Sequence, residues 1–151
     1  MLDANLLLLL FVGKFRREQI GTFKRLNAFT VEDFDTLVRM LSWFKNILTT
    51  PNILTEVSNL SNSLPSNLKR DYFAEFARNI ALLKEEYVPS PEAATRSEFV
   101  RFGLTDAAIA HLAETKCLIV TVDFPLSQYL TSLGLDAFNF NQIRPLNWRL
   151  P

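Results

Sequence analysis

Four carboxylates set among apolar or turn-forming residues constrain this chain more than any other feature of its sequence. They are Asp3 in LDANLLLLLFVG, Glu56 in TTPNILTEVSNL, Asp106 in FGLTDAAIAHLA and Asp123 in KCLIVTVDF. None belongs to a solvated charge run. A carboxylate flanked by Leu, Ile, Val and Ala is costly to desolvate, and like charges raise one another's pKa until a cation or a proton intervenes. Two carboxylates about 5 Å apart repel by roughly 3 kcal/mol at an effective dielectric near 20. One crevice holding all four would destabilise the fold unless it were neutralised. The set is made of hard oxygen ligands with no His or Cys partner, which selects Mg²⁺ or Mn²⁺ over zinc.

The 151 residues fall in the range of a single domain, 1–151, long enough to bury one continuous core. Thirteen Phe against four Gly, with no repeat and no low-complexity stretch, argue against disorder. Formal net charge is zero, so any nucleic-acid binding must come from local clusters rather than from a basic excess. The fullest such cluster is Lys14, Arg16, Arg17, Lys24 and Arg25, interleaved with Phe15 and Phe23. That pattern suits a phosphate backbone, but it is more simply a helix end whose basic residues complement the macrodipole. The single cysteine, Cys117, lies in an apolar run and reads as a small buried hydrophobe, in keeping with a reducing, cytoplasmic setting. The LLLLLFV run at 6–12 is too short to span a bilayer. No positive segment precedes it and no small-residue cleavage pattern follows, so neither a signal peptide nor a membrane partner is expected.

Along the chain, 4–12 predicts a buried helix ending near Gly13, with a strand as the alternative. The spacing of Val31, Phe34, Leu37, Val38, Leu41 and Phe44 predicts a helix over 30–45. Thr50 as N-cap and Pro51 at the first position open another helix, and Glu56 falls on or beside its apolar stripe of Ile53, Val57 and Leu60. A helix over 69–86 follows, then a short one from Pro91 to Gly103, then one capped by Thr105 with Asp106 in its first turn. The β-branched run 117–122 predicts a strand covered on both faces, with Asp123 at its carboxyl end. A helix over 125–133 closed by Gly134 and a last strand over 135–140 complete the chain. This alternation predicts an α/β fold: an open, mainly parallel sheet of about four to five strands with helices on both faces and ligands beyond the strands' carboxyl ends.

In order and over nearly the whole chain, LDANLL around Asp3, TPNILTEVSNL around Glu56, GLTDAAIAHLA around Asp106 and IVTVDFPL around Asp123 resemble the motifs of the PIN-domain nucleases. Within that family the resemblance is to the VapC-type toxins of toxin–antitoxin pairs. It implies a PIN-like fold and a metal-dependent endoribonuclease that hydrolyses RNA phosphodiesters. Asp3, Glu56, Asp106 and Asp123 become the metal-holding, catalytic acids for Mg²⁺ or Mn²⁺, with Asn5 and Thr121 as polar supports. Thr121 precedes Asp123 by two, so both side chains point to the same face of a strand end. A homodimer and a cognate antitoxin whose basic side chain fills the acidic crevice are further implications. In the family the first Asp ends a strand of several apolar residues, whereas here only Met1 and Leu2 precede Asp3, which predicts a short first strand.

The competing reading is a non-catalytic PIN-fold module that docks RNA or protein. It is disfavoured because such a module usually loses at least one metal-holding acid and this chain keeps all four. His111 lies five residues after Asp106, off its helical face, and is not expected to act as a base. Asp33 and Asp35 read as first-turn charges, Glu98 and Glu114 as solvated, and Ser127 as a distant candidate for touching phosphate. Trp43, Phe44 and Trp148 suggest an apolar surface for a partner.

Overall fold

In the computed structural model, which describes residues 1–115 and 117–144, the polypeptide wraps around its first helix. Helix α1 (Ala4–Phe15) begins at Asp3, whose Oδ1 accepts the Leu6 N–H at 2.8 Å. Every residue from Leu6 to Val12 is buried, and a helix that is apolar all round is stable only when enclosed on all sides. Enclosure decides the helix-or-strand ambiguity of the sequence. The helix continues past Gly13 to Phe15, because Gly13 marks a close crossing and not a stop. A Cβ there would lie 2.3 Å from Cδ2 of Phe34.

Helix α2 (Val31–Leu41) opens with a capping box in which Thr30 accepts from the Asp33 N–H and Asp33 accepts from the Thr30 N–H. Strand β1 (Leu48–Thr49) leads into α3 (Pro51–Ser61), capped by Thr50 as its sequence predicts, and then α4 (Ser66–Ile80) and strand β2 (Lys84–Glu85) follow. Helices α2, α3 and α4 pack against α1. Phe76 meets Phe11 edge-on at 5.1 Å, and the Tyr72 hydroxyl pairs with Ser61 at 2.8 Å, so the one polar atom of that aromatic cluster is satisfied.

The second half is built of short pieces: α5 (Ser90–Ala94), α6 (Ser97–Phe102), α7 (Leu104–Ala113), β3 (Ile119–Thr121), α8 (Phe124–Ser132) and β4 (Ala137–Asn139). Gly103, with φ 87° and ψ −179°, separates α6 from α7 in a conformation that L-residues other than glycine avoid. Because α7 starts at Leu104, Thr105 does not cap it, and Asp106 is its third residue. Among the described residues, no helix is long and apolar enough to cross a membrane.

Among the described residues, the expected open sheet of four to five strands is not present. The described strands are two or three residues long and form two separate parallel pairs, β1 with β2 and β3 with β4. A lone parallel bridge from Leu2 to Val120 adds the short first strand to the β3 side. Helix caps cut the strands off: Asp3 ends the first after Leu2, Thr50 and Pro51 end β1, and Asp123 and Pro125 end β3. An apolar cavity of about 350 Å³, lined from both sides by Leu2, Ile47, Leu48, Leu118 and Val120, lies where the two pairs would otherwise meet. The apolar surface is buried instead by helix packing in a continuous cluster that runs from Leu2 to Phe140. Trp43 is 81% exposed and Phe44 43% at the end of α2, while Trp148 lies outside the described residues.

Candidate functional site

The site grows from three helix starts. Asp3 caps α1, Asp123 caps α8 through an Oδ1 that accepts the Leu126 N–H at 2.8 Å, and Asp106 is third in α7. Helix N-termini favour negative charge, so each start offsets part of the cost of its own carboxylate, by about 0.3–1 kcal/mol. That is less than the roughly 3 kcal/mol by which two such charges repel at about 5 Å, so the cluster stays under electrostatic load.

Asp3 is the most enclosed of the four, only 6% exposed. Its Oδ2 accepts the Thr121 hydroxyl at 2.5 Å and the Val122 N–H at 2.8 Å, while Oδ1 takes the Leu6 N–H. Burial pushes its pKa up, and the nearby Asp123 adds to this, against the pull of the three hydrogen bonds. Thr121 is the hinge of the arrangement. It donates to Asp3 and its Oγ1 accepts the Asp123 N–H at 2.9 Å, so one hydroxyl ties the first acid to the last across the Leu2–Val120 bridge. Asn5, second in α1, is the only exposed residue between Leu2 and Gly13, so the enclosed helix reaches solvent next to Asp3.

Asp106 links the remaining acids. Its pKa is raised to about 7, first by desolvation and then by the charges of Asp123, Glu56 and Asp3. The four sequence-chosen acids therefore share one electrostatic neighbourhood, although they come from four elements spread over the chain. Glu56 reaches it from the middle of α3, half-buried, and Asp123 is exposed at the opening.

The donor chemistry fits a hard divalent cation. Among the described residues, no three His, Cys, Asp or Glu side chains stand close enough to close directly on one ion. Mg²⁺ does not require that, since it keeps several waters and is held by one or two carboxylates. Asp3 and the backbone of Asp123 are tied through Thr121, so this pair could hold such an ion, with Glu56 and Asp106 reaching its waters.

Several residues around the acids carry structure rather than chemistry. Ser127 is not free to touch phosphate: buried, it donates to the Phe124 carbonyl and accepts from Asn139 Nδ2 at 3.2 Å. Glu98 is not solvated. It is 4% exposed and bound by Arg96 at 3.1 Å and by the Tyr129 hydroxyl at 3.2 Å, with the same Arg96 holding Glu114. His111 faces Glu92 at 3.4 Å on the far portion of α7. Asp33 does more than cap α2, because Arg144 grips both of its oxygens at 2.8 and 2.7 Å. Sequence reading missed the amides that steady the strand ends. Asn141 Nδ2 binds the Val122 carbonyl at 3.1 Å, and the FNFN repeat of 138–141 was the available signal.

Comparison with family models, with curated proteins and with solved structures returns no match to this chain.

Proposed function

We propose that this protein is a metal-dependent endoribonuclease related to the PIN-domain nucleases. The supporting observation is that burial, and then the charges of Asp123, Glu56 and Asp3, raise the pKa of the Asp106 carboxyl to about 7. Structural carboxylates are normally dispersed or paired with cations, and an unpaired acidic cluster in an opening of the fold is a candidate site for chemistry. A bound Mg²⁺ or Mn²⁺ would supply a water of lowered pKa and neutralise charge on the phosphate.

The chain's own residues then have separate tasks. Asp3 and Asp123 would hold the ion, and Thr121 ties the Asp3 carboxylate to the Asp123 backbone. Glu56 and Asp106 would orient its waters, and Asp106 would take up the released proton. Through the resemblance to VapC-type toxins, the proposal extends to a cytoplasmic, homodimeric toxin checked by an antitoxin.

The test is Mn²⁺-dependent cleavage of structured RNAs by wild type and Asp3→Asn. Asparagine keeps an oxygen for the Leu6 N–H but sets its amide against the Val122 N–H, so Asp3→Asn is paired with Asp123→Asn, which keeps the cap of α8. Folding of each is checked by circular dichroism, and cleavage is expected to vanish in both. Full cleavage by either folded variant removes the proposal. The toxin extension is tested by induced expression, which should arrest growth with wild type and not with Asp3→Asn.

A further inference from the structure

Next to the acids lies a groove of about 530 Å³. One wall is a face of α3, where Asn52, Glu56 and Asn59 recur at helical spacing. The opposite wall is formed by Ser90 at the start of α5 and by Thr105, the neighbour of Asp106. Arg25 and Tyr87 also line it, and both are exposed.

Three features of this groove point to one occupant. The acidic cluster by itself repels a polyanion, so a substrate of that charge needs a cation near the site. Arg25 is that cation, and among the described residues it forms no ion pair, whereas neighbouring Arg17 is committed to Asp35 at 2.7 Å. A free guanidinium presents a planar fork that suits phosphate oxygens. Tyr87 is 74% exposed, an arrangement that leaves its ring open as a stacking platform. The volume is that of a small-ligand site, which takes a nucleotide or two and not a paired helix.

We propose that this groove seats a single strand of RNA, with Arg25 holding a backbone phosphate and Tyr87 stacking a base, so that the next phosphodiester reaches Glu56 and Asp106. The assignment rests on the ribonuclease reading, and it identifies substrate-binding residues outside the acidic cluster.

The experiment measures binding of a fluorescein-labelled mixed-sequence oligoribonucleotide by anisotropy in EDTA, and its cleavage in Mn²⁺. The proteins are wild type, Arg25→Ala, Tyr87→Ala, Tyr87→Phe and Arg39→Ala, the last removing an exposed cation outside the groove. Arg25→Ala and Tyr87→Ala are each expected to weaken binding about tenfold. Arg25→Ala should also flatten the salt dependence by about 0.7 of a log–log unit, the contribution of one phosphate contact on a single strand. Tyr87→Phe and Arg39→Ala should bind as wild type, and a duplex competitor should displace the strand poorly. If wild type binds and cleaves while neither groove variant weakens binding, the groove assignment is overturned and the ribonuclease stands. If the groove variants weaken binding but wild type never cleaves, the groove stands and the catalytic reading falls. A wild type that neither binds nor cleaves overturns both.

Discussion

At the scale of single residues, Thr121 does the most for its size. Replacing it with Val leaves the part-buried Asp123 N–H without its acceptor and takes from the buried Asp3 Oδ2 its 2.5 Å partner, leaving that oxygen the Val122 N–H alone. Leaving such groups unpaired costs about 1–3 kcal/mol, so Thr121→Val should unfold at lower urea while Thr121→Ser stays near wild type. Asp106 gives a pH signature. Between its ordinary pKa of 3.8 and about 7, the folded protein holds a proton on Asp106 that the unfolded chain has released. The unfolded state then binds fewer protons, so the stability contributed by this group is full near pH 4 and is lost as pH rises through about 7. Three pKa units would represent roughly 4 kcal/mol in a dry site, and water reaches this half-buried carboxyl, so about 1–2 kcal/mol is expected. Urea midpoints of the metal-free protein at pH 5 and pH 8 should show wild type losing stability and Asp106→Asn losing less. An unchanged slope in the variant would remove Asp106 as the source.

At the scale of elements, the crossing of α1 and α2 leaves no room for a side chain at Gly13. Gly13→Ala brings a methyl within 2.3 Å of the Phe34 ring, and overpacking of this kind costs about 1–3 kcal/mol. Alanine's helix propensity returns about 1 kcal/mol, too little to offset the clash. Thermal melts should place Gly13→Ala below wild type, and Gly13→Ala with Phe34→Leu should recover part of the loss. The starts of α1, α2 and α3 are legible in the sequence because their signals are local: the apolar run after Asp3, the Thr30 and Asp33 capping box and Thr50 before Pro51. By contrast, the helix expected over 69–86 stops at Ile80 before β2, and the one expected from Pro91 to Gly103 is split into α5 and α6. The sheet is not legible, because 117–122 announces a buried strand without saying how many strands lie beside it. Its neighbours are cut to two or three residues by caps that read as helix starts, and the burial expected from a sheet is taken over by helices around α1. Glu98 fails for a related reason, since the Tyr129 hydroxyl reaches it from α8, although its other partner, Arg96, lies two residues away.

At the scale of the whole molecule, four acids separated by up to 120 positions in sequence, Asp3 to Asp123, come together although the sheet expected to align them is absent. The chain achieves this with three helix starts and one bridging threonine, which leaves the cluster balanced against repulsion. Removing that repulsion should therefore stabilise the entire fold. Thermal unfolding in EDTA, then in Mg²⁺ and in Mn²⁺, reads this directly. A cation at a concentration 100 times its Kd adds about 2.7 kcal/mol to the folded state, enough to raise the melting temperature by several degrees in a chain of this length. Asp106→Asn with Asp123→Asn removes two of the four charges while keeping the oxygen that caps α8, and this double variant should melt above wild type in EDTA and respond little to either metal. A wild type indifferent to both metals, with a double variant no more stable than it, would mean that the four carboxylates are held apart by their helix starts and do not form one cation site.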